Sequence, residues 1–275
     1  MAKAELSVSA VQLSSQADVP ENLERARSLI KRAASRGAEL VLLPENFAFF
    51  GAEADKRALA ERLDDAQAVV VPALQAMAKE SSVFVVGGGF PERSADSDRP
   101  HNTLLVLGPD GLPLAAYRKI HLFDVELGTG GSYSESAATT PGSSVVVVDV
   151  AVFKLGLSIC YDLRFPELYR ALSEQGAEVL LVPAAFTLHT GKDHWHVLLR
   201  ARAIEAQAFV VAAAQYGSHP GGRQTYGHSL VVDPWGTIIA EASDGPGLAS
   251  AVLERSRLES VRKSLPSLQH RRLGV

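Results

Sequence analysis

The chain has 275 residues, 47% of them apolar and 21% charged, the balance of a soluble globular protein with ample material for a core. A formal net charge of −4 gives no basic surface for nucleic acid, and the apolar runs are strand-length, too short to cross a bilayer. One cysteine excludes an internal disulfide, and the N-terminal MAKAELSVSAVQL lacks the apolar stretch of a signal peptide, so a cytoplasmic protein is expected.

Residues 5–13, ELSVSAVQL, alternate polar and apolar and read as a strand. Residues 19–37 read as a helix, with Pro20 near the start, Glu21 and Glu24 in the first turn and Gly37 at the stop. AELVLLPE, 38–45, is a short buried strand closed by Pro44. Residues 55–82 read as a helix broken at Pro72, and VFVVGGG, 83–89, as another buried strand. Residues 101–120 form two strands around Gly108-Pro109-Asp110-Gly111, a hairpin signal. Strands follow at 144–150 and 153–160, then a helix over 164–176, a strand over 177–186, a helix over 193–209 and a strand over 210–215. Residues 226–242 read as a hairpin turning at Pro234-Trp235-Gly236, 247–254 as a last strand and 255–265 as a last helix. Strand-helix units at both ends with hairpins between them predict an α/β sandwich rather than a pure βαβ winding. No linker, low-complexity tract or short repeat divides the chain, so residues 1–275 read as one domain. Stretches 92–100, 126–144 and 216–227, rich in Gly, Pro and Ser, read as loops, and long loops in compact domains are often functional.

Three residues stand where such a sheet would present chemistry. Cys160 ends an apolar strand, and a helix is expected just after it, an arrangement that favours thiolate. The alternative is a small buried hydrophobe. Glu45 closes LVLLPE at the carboxyl end of a buried strand, where α/β active sites gather and a general base can sit. Lys119 closes LAAYRK, and a lysine held among apolar residues is a fixed cation for an oxyanion. The alternatives are a solvent-facing acid and a surface lysine. Glu135, in SYSES, reads locally as a loop acid. Thiol, carboxylate and ammonium together suit acyl transfer through a thioester.

LVLLPENF, YRKIHLFD and GLSICYDLRFPELYR resemble, in order and wide spacing, the three signature segments of the nitrilase superfamily, the carbon-nitrogen hydrolases. The likeness runs over nearly the whole chain. It implies an α-β-β-α sandwich that pairs through helices into a dimer or a higher even oligomer, with 164–176 and 194–209 corresponding to the pairing helices. It implies Glu45 as general base, Lys119 as oxyanion stabiliser and Cys160 as nucleophile. Glu135 matches a second glutamate that positions Lys119 and substrate, and the Tyr161 N–H completes the oxyanion hole. The activity implied is hydrolysis of a small carboxamide to acid and ammonia, with no cofactor and no metal. RKIHLFDVE, residues 190–217, residues 226–247 and LPSLQHRR look most like the branch acting on deaminated glutathione. The omega-amidase branch, acting on 2-oxoglutaramate, shares the triad but is less similar after VVAAAQ. A non-catalytic binding relative and a redox role for Cys160 are the readings from other classes. Tyr161 stands where true nitrilases typically carry tryptophan, and VELGTGG, 125–131, lacks the family's loop proline, so a different pocket entrance is expected there.

Other signals are weaker. VVGGGF lacks G-x-G-x-x-G spacing, and no G-x-S-x-G is present. His189, His194 and His196 lack zinc-type spacing, and 194 and 196 do not share a helix face. Arg164 could bind a substrate carboxylate or pair with Glu167 one turn on. Phe186 and Thr190, after the LLVPAAF strand, are pocket candidates.

Overall fold

The computed structural model describes residues 4–128 and 131–274. Strand β1 (Glu5–Gln12) shows how the layers arise: Leu6, Val8 and Ala10 join one apolar cluster, while Val11 and Leu13 join another. Side chains alternate faces along a strand, so each strand divides its apolar residues between two layers. In β2 (Leu40–Leu42), Leu40 and Leu42 lie in the first cluster and Val41 in the second. Val86 and Val85 of β3 (Phe84–Glu92) divide likewise, as do Leu104 and Leu105 of β4 (His101–Leu107).

With β5 (Pro113–Arg118) and β16 (Gly247–Glu254), these strands form a six-stranded sheet in the order β16-β1-β2-β3-β4-β5. A second sheet contains β8 (Val147–Val150), β9 (Phe153–Leu157), β10 (Val179–Ala184), β11 (Phe209–Ala214), β14 (Leu230–Val232) and β15 (Ile238–Glu241), in the order β15-β14-β11-β10-β9-β8. In each sheet three parallel strands, β1-β2-β3 or β9-β10-β11, lie between antiparallel edges. Helices α1 (Val19–Ser35) and α3 (Val70–Ser81) cover the outer face of the first sheet. Helices α4 (Pro166–Glu174) and α5 (Leu188–Ala206) cover that of the second. The fold is the four-layer α-β-β-α sandwich, closed by β16 pairing with β1 over eight residues and followed by α6 (Arg255–Ser264).

Local chemistry explains the ends of α1. Asp18 Oδ1 accepts the Glu21 N–H at 2.9 Å, Pro20 lies in the first turn, and Gly37 takes φ +88° just past the end.

Three elements differ from expectation. The helix expected over 55–82 is two helices, α2 (Glu53–Ala58) and α3, separated by turns. Pro72 does not break α3 but lies in its first turn, where a missing N–H costs nothing. Glu61 occupies the cap, its carboxylate accepting the N–H groups of Val69, Val70 and Val71 at 2.7, 3.0 and 3.0 Å. Strand β3 runs on past Gly89 to Glu92, with a register shift between Gly88 and Phe90. The loops expected over 126–144 and 216–227 contain two small hairpins: β6 (Asp124–Glu126) with β7 (Ser132–Ser134), and β12 (Tyr216–Ser218) with β13 (Gln224–Tyr226). Thr129 and Gly130, in the VELGTGG stretch, lie outside the described residues.

Candidate active site

The parallel strands of both sheets deliver their carboxyl ends to one side of the sandwich. Glu45 follows β2 by three residues, Ala185 follows β10 and Cys160 follows β9. Two of these exits are sharp. Asn46 has φ +59° and Cys160 φ +48°, both left-handed. Such backbone costs roughly 1–2 kcal/mol outside glycine and clusters at functional sites. Gly88 is required by close approach: a Cβ there would sit 1.9 Å from the Leu43 carbonyl oxygen and 2.5 Å from Pro183 Cβ. The Gly-rich run thus serves the bulge that lets β3 pass beneath the Glu45 segment.

Glu45 is buried and held at both oxygens. Oε1 accepts from Asn102 Nδ2 at 2.9 Å and Lys119 Nζ at 3.0 Å, and Oε2 accepts the Ala185 N–H at 3.1 Å. Its carbonyl accepts from Gln215 Nε2 at 3.0 Å. Lys119, at the end of β5, is only 2% exposed. Its ammonium also donates to Glu135 at 2.8 and 3.0 Å. Glu135 Oε2 additionally accepts the Phe123 N–H at 2.7 Å. Burial alone would drive the Lys119 proton off, but the charges of Glu135 and Glu45 outweigh it and hold the ammonium well above the usual lysine range. Burial would push Glu135 up, and Lys119, then Lys56, hold it below the ordinary carboxylate value.

Cys160 begins a short 3-10 turn, Cys160–Arg164, and is 8% exposed. Helix α4 starts only at Pro166, so the thiol does not sit at its N-terminus. Burial, then the Glu45 charge, push the thiol well above its ordinary value, against the opposing pull of Lys119. This corrects the expectation of a helix-stabilised thiolate: burial and the Glu45 carboxylate both favour the protonated thiol.

Asp162, fully buried, ties the cysteine turn to the lysine segment. Oδ2 accepts the Ile159 N–H at 2.8 Å and the Tyr117 hydroxyl at 2.7 Å. Oδ1 faces the His121 N–H at 3.0 Å and His121 Nδ1 at 2.8 Å. Asn102, Asp162 and Gln215 were not singled out from the sequence. A buried polar residue beside an apolar strand run is the only signal that could have found them.

Glu45, Lys119, Glu135, Cys160, Tyr161, Phe186 and Thr190 all line one cavity of about 190 Å³. Tyr161 meets Phe123 and Phe165 edge-on, and Phe186 leans on Trp195. Thr187 caps α5 and shares a 2.9 Å hydroxyl contact with Thr190. Arg164 lies over Phe186 at 5.1 Å and contacts His194 Nδ1 at 3.2 Å, so it belongs to the cavity wall rather than to a pair with Glu167. Lys56 and Arg223 add two further cations, the latter 3.3 Å from Glu53. Asn46 lines the same cavity, and its Oδ1 is buried with no hydrogen-bond partner among the described residues.

Comparison with known proteins places the whole chain in one family. The carbon-nitrogen hydrolase family pattern matches residues 7–263. A deaminated glutathione amidase from Synechocystis is 49% identical over 268 residues, covering 95% of this chain and 96% of that protein. Nit3 of Saccharomyces cerevisiae, described as a member of branch 10 of the nitrilase superfamily, superposes with a TM-score of 0.88 at 33% identity, over 99% of this chain and 98% of its own. A mutant of the amidase from Nesterenkonia sp. AN1, in which acrylamide has added to the active-site cysteine, gives 0.79 at 27% identity, over 96% and 99%. With sequence and fold alike from end to end, the chain belongs to the carbon-nitrogen hydrolases of the nitrilase superfamily.

Proposed function

We propose that the protein hydrolyses deaminated glutathione through a thioester on Cys160. The observation that carries this reading is the meeting of a thiol, a carboxylate and a buried ammonium at one cavity, ringed by the cations Lys56, Arg164 and Arg223. The substrate named for the Synechocystis relative is an anionic amide, and such cations suit its carboxylates.

Glu45 takes the Cys160 proton, and the sulfur attacks the amide carbonyl carbon. The carbonyl π pair moves to oxygen, where Lys119 and the Tyr161 N–H hold it. The C–N bond then breaks as the nitrogen takes the proton from Glu45, leaving the acyl group on sulfur. Glu45 next removes a proton from water, whose oxygen attacks the thioester. The acid departs and the proton returns to sulfur. A primary amide would release ammonia. Glutathione stripped of its amino group keeps only secondary amides, so there the leaving group is an amine. Asn46 Oδ1 offers that substrate N–H an acceptor. Glu135 keeps Lys119 charged and in place.

Pairing into a homodimer through α4 and α5 belongs to the same proposal. Val197 and Ile204, seven residues apart on α5, are 66% and 48% exposed, and Trp235, beside the Gly236 that packs on Ile204, is 54% exposed. Among the described residues no helix is long and apolar enough to cross a membrane. A reducing, cytoplasmic setting suits a mechanism that depends on one free thiol.

The test compares acid release, with amine from deaminated glutathione and ammonia from 2-oxoglutaramate and a simple primary aliphatic amide, with Cys160→Ala as control. Preference for the first, abolished in the variant and accompanied by an acyl adduct on Cys160, supports the reading. Preference for 2-oxoglutaramate keeps the chemistry and moves the substrate to the omega-amidase type. Folded protein inert toward all three overturns the reading in favour of a binding role.

A further inference from the structure

Outside the cavity, three side chains from separate elements meet at one carboxylate oxygen. His196 Nε2, from α5, lies 2.9 Å from Glu241 Oε1 of β15. His228 Nδ1, from the segment before β14, lies 2.7 Å from the same oxygen. One nitrogen of each ring and the carboxylate oxygen fall within 4.8 Å of one another. The side chains are 28–33% exposed, so the cluster forms a surface dent rather than a core contact.

The surroundings hold these groups in place. The fully buried Trp195 donates its indole N–H to the His228 carbonyl at 2.8 Å, and His228 takes a left-handed backbone at φ +58°. The Tyr226 ring lies on His228 with centroids 4.4 Å apart, and faces His196 at 5.9 Å. Asp193 and Asp244, with Glu241, add negative charge around Tyr226.

We propose that His196, His228 and Glu241 form a binding site for a divalent transition-metal ion of the zinc class. Two imidazoles and one carboxylate are donors that such ions prefer, and three protein ligands leave a fourth position for water. Metal–ligand bonds of about 2.0–2.2 Å in a tetrahedron place donor atoms roughly 3.3 Å apart. The nitrogens therefore move about half an ångström back from Glu241, and the two ring donors, up to 4.8 Å apart, close toward each other by as much as about 1.5 Å. Each ring then binds through a lone pair and carries its proton on the far nitrogen. Sequence spacing could not show this site, because its donors are 13 and 45 residues apart and meet only through the packing of α5 against β14 and β15. The ion would clasp α5 to the segment after β13. Tyr226 closes β13, and Thr225, beside it, lines the catalytic cavity.

The test uses the full chain as wild type and as Cys160→Ala, since the active-site thiol is a rival ligand. Both are stripped with chelator and equilibrated with Zn2+ or Co2+. Expected are one retained equivalent in both, a visible Co2+ spectrum of four-coordinate intensity without thiolate charge transfer, and a Tm rise of roughly 5 °C at a hundredfold excess over the dissociation constant. His196→Gln and Glu241→Gln should lose all three while turning over substrate like wild type in chelator. No retention overturns the proposal. So does retention that survives both substitutions, or that vanishes only in Cys160→Ala.

Discussion

Lys119 is one cation held between two carboxylates, and its removal exposes how the site stores charge. In Lys119→Met, Glu45 and Glu135 share a buried space without a counter-charge, at a cost of about 3–5 kcal/mol at neutral pH. Glu135 is held low in the native protein, so its contribution is complete above the ordinary carboxylate pKa and lost as pH falls through the lower folded value. Lys119 is held high, so its contribution is complete below the ordinary lysine pKa and fades only as pH rises through the folded value. In the variant, burial and mutual repulsion raise the carboxyl groups, so it gains stability on acidification. The stability gap, measured by urea unfolding, should therefore narrow between pH 7 and pH 4.5; a gap that widens would contradict this account of the charges. Glu45→Gln separates two roles of one carboxylate. Turnover should fall by about 10²–10⁴ with loss of the general base. The same change removes a charge that pushes the thiol up and leaves Lys119 beside it, so the thiolate absorbance should titrate at lower pH than in wild type. A thiol titration that is unmoved, with turnover retained, would point to a redox role for Cys160 instead.

At the scale of elements, the close passage of β3 under the Glu45 segment is the tightest constraint. Gly88→Ala places a methyl group against the Leu43 carbonyl and Pro183, both backbone-fixed, so the strand must move. A loss of about 3 kcal/mol in urea unfolding is expected, with a fall in kcat because Leu43 precedes Glu45 by two residues. Wild-type stability and kcat in this variant would show the bulge to be more pliable than its packing implies. The strands around this crossing were legible because their apolar runs are short and end in Pro44, Gly87 or Cys160. Glu45, Lys119 and Cys160 could be read for the same reason, as polar groups at the ends of such runs. Glu135 could be read only through resemblance, since its role depends on a hairpin that brings it back to Lys119. Asn102, Asp162 and Gln215 were not legible. Their partners Glu45, Tyr117 and the Glu45 carbonyl lie 57, 45 and 170 residues away, and no local pattern encodes such pairings. The span 55–82 misled for a related reason: its composition suits a helix, but the first helix stops at Ala58 and the Glu61 carboxylate accepts three N–H groups at the start of the next.

At the scale of the molecule, two sheets, each with three parallel strands between antiparallel edges, meet face to face, and each contributes catalytic candidates from the carboxyl ends of its strands. Outer helices shield both sheets, but they are not equally finished. On α1 the buried positions Leu23, Ala26, Ile30 and Ala33 face inward, and its exposed positions after Pro20 are polar. On α5 the inward positions Trp195, Leu199, Ala203 and Ala206 are likewise buried, yet Val197 and Ile204 are exposed, and Trp235, next to the Gly236 that packs on Ile204, is exposed too. Apolar side chains clustered on an outer layer cost solubility unless another surface covers them. A twofold pairing lets the same patch on two copies cover itself, as a closed symmetric dimer requires. Val197→Glu with Ile204→Glu buries four like charges across that axis, so light scattering should give a monomer mass where wild type gives a dimer. The substitutions lie on the outer face of α5, away from the cavity lining, so circular dichroism should remain that of the folded chain. A dimer that persists in the double variant would move the pairing surface off α5 and leave this apolar patch to another partner.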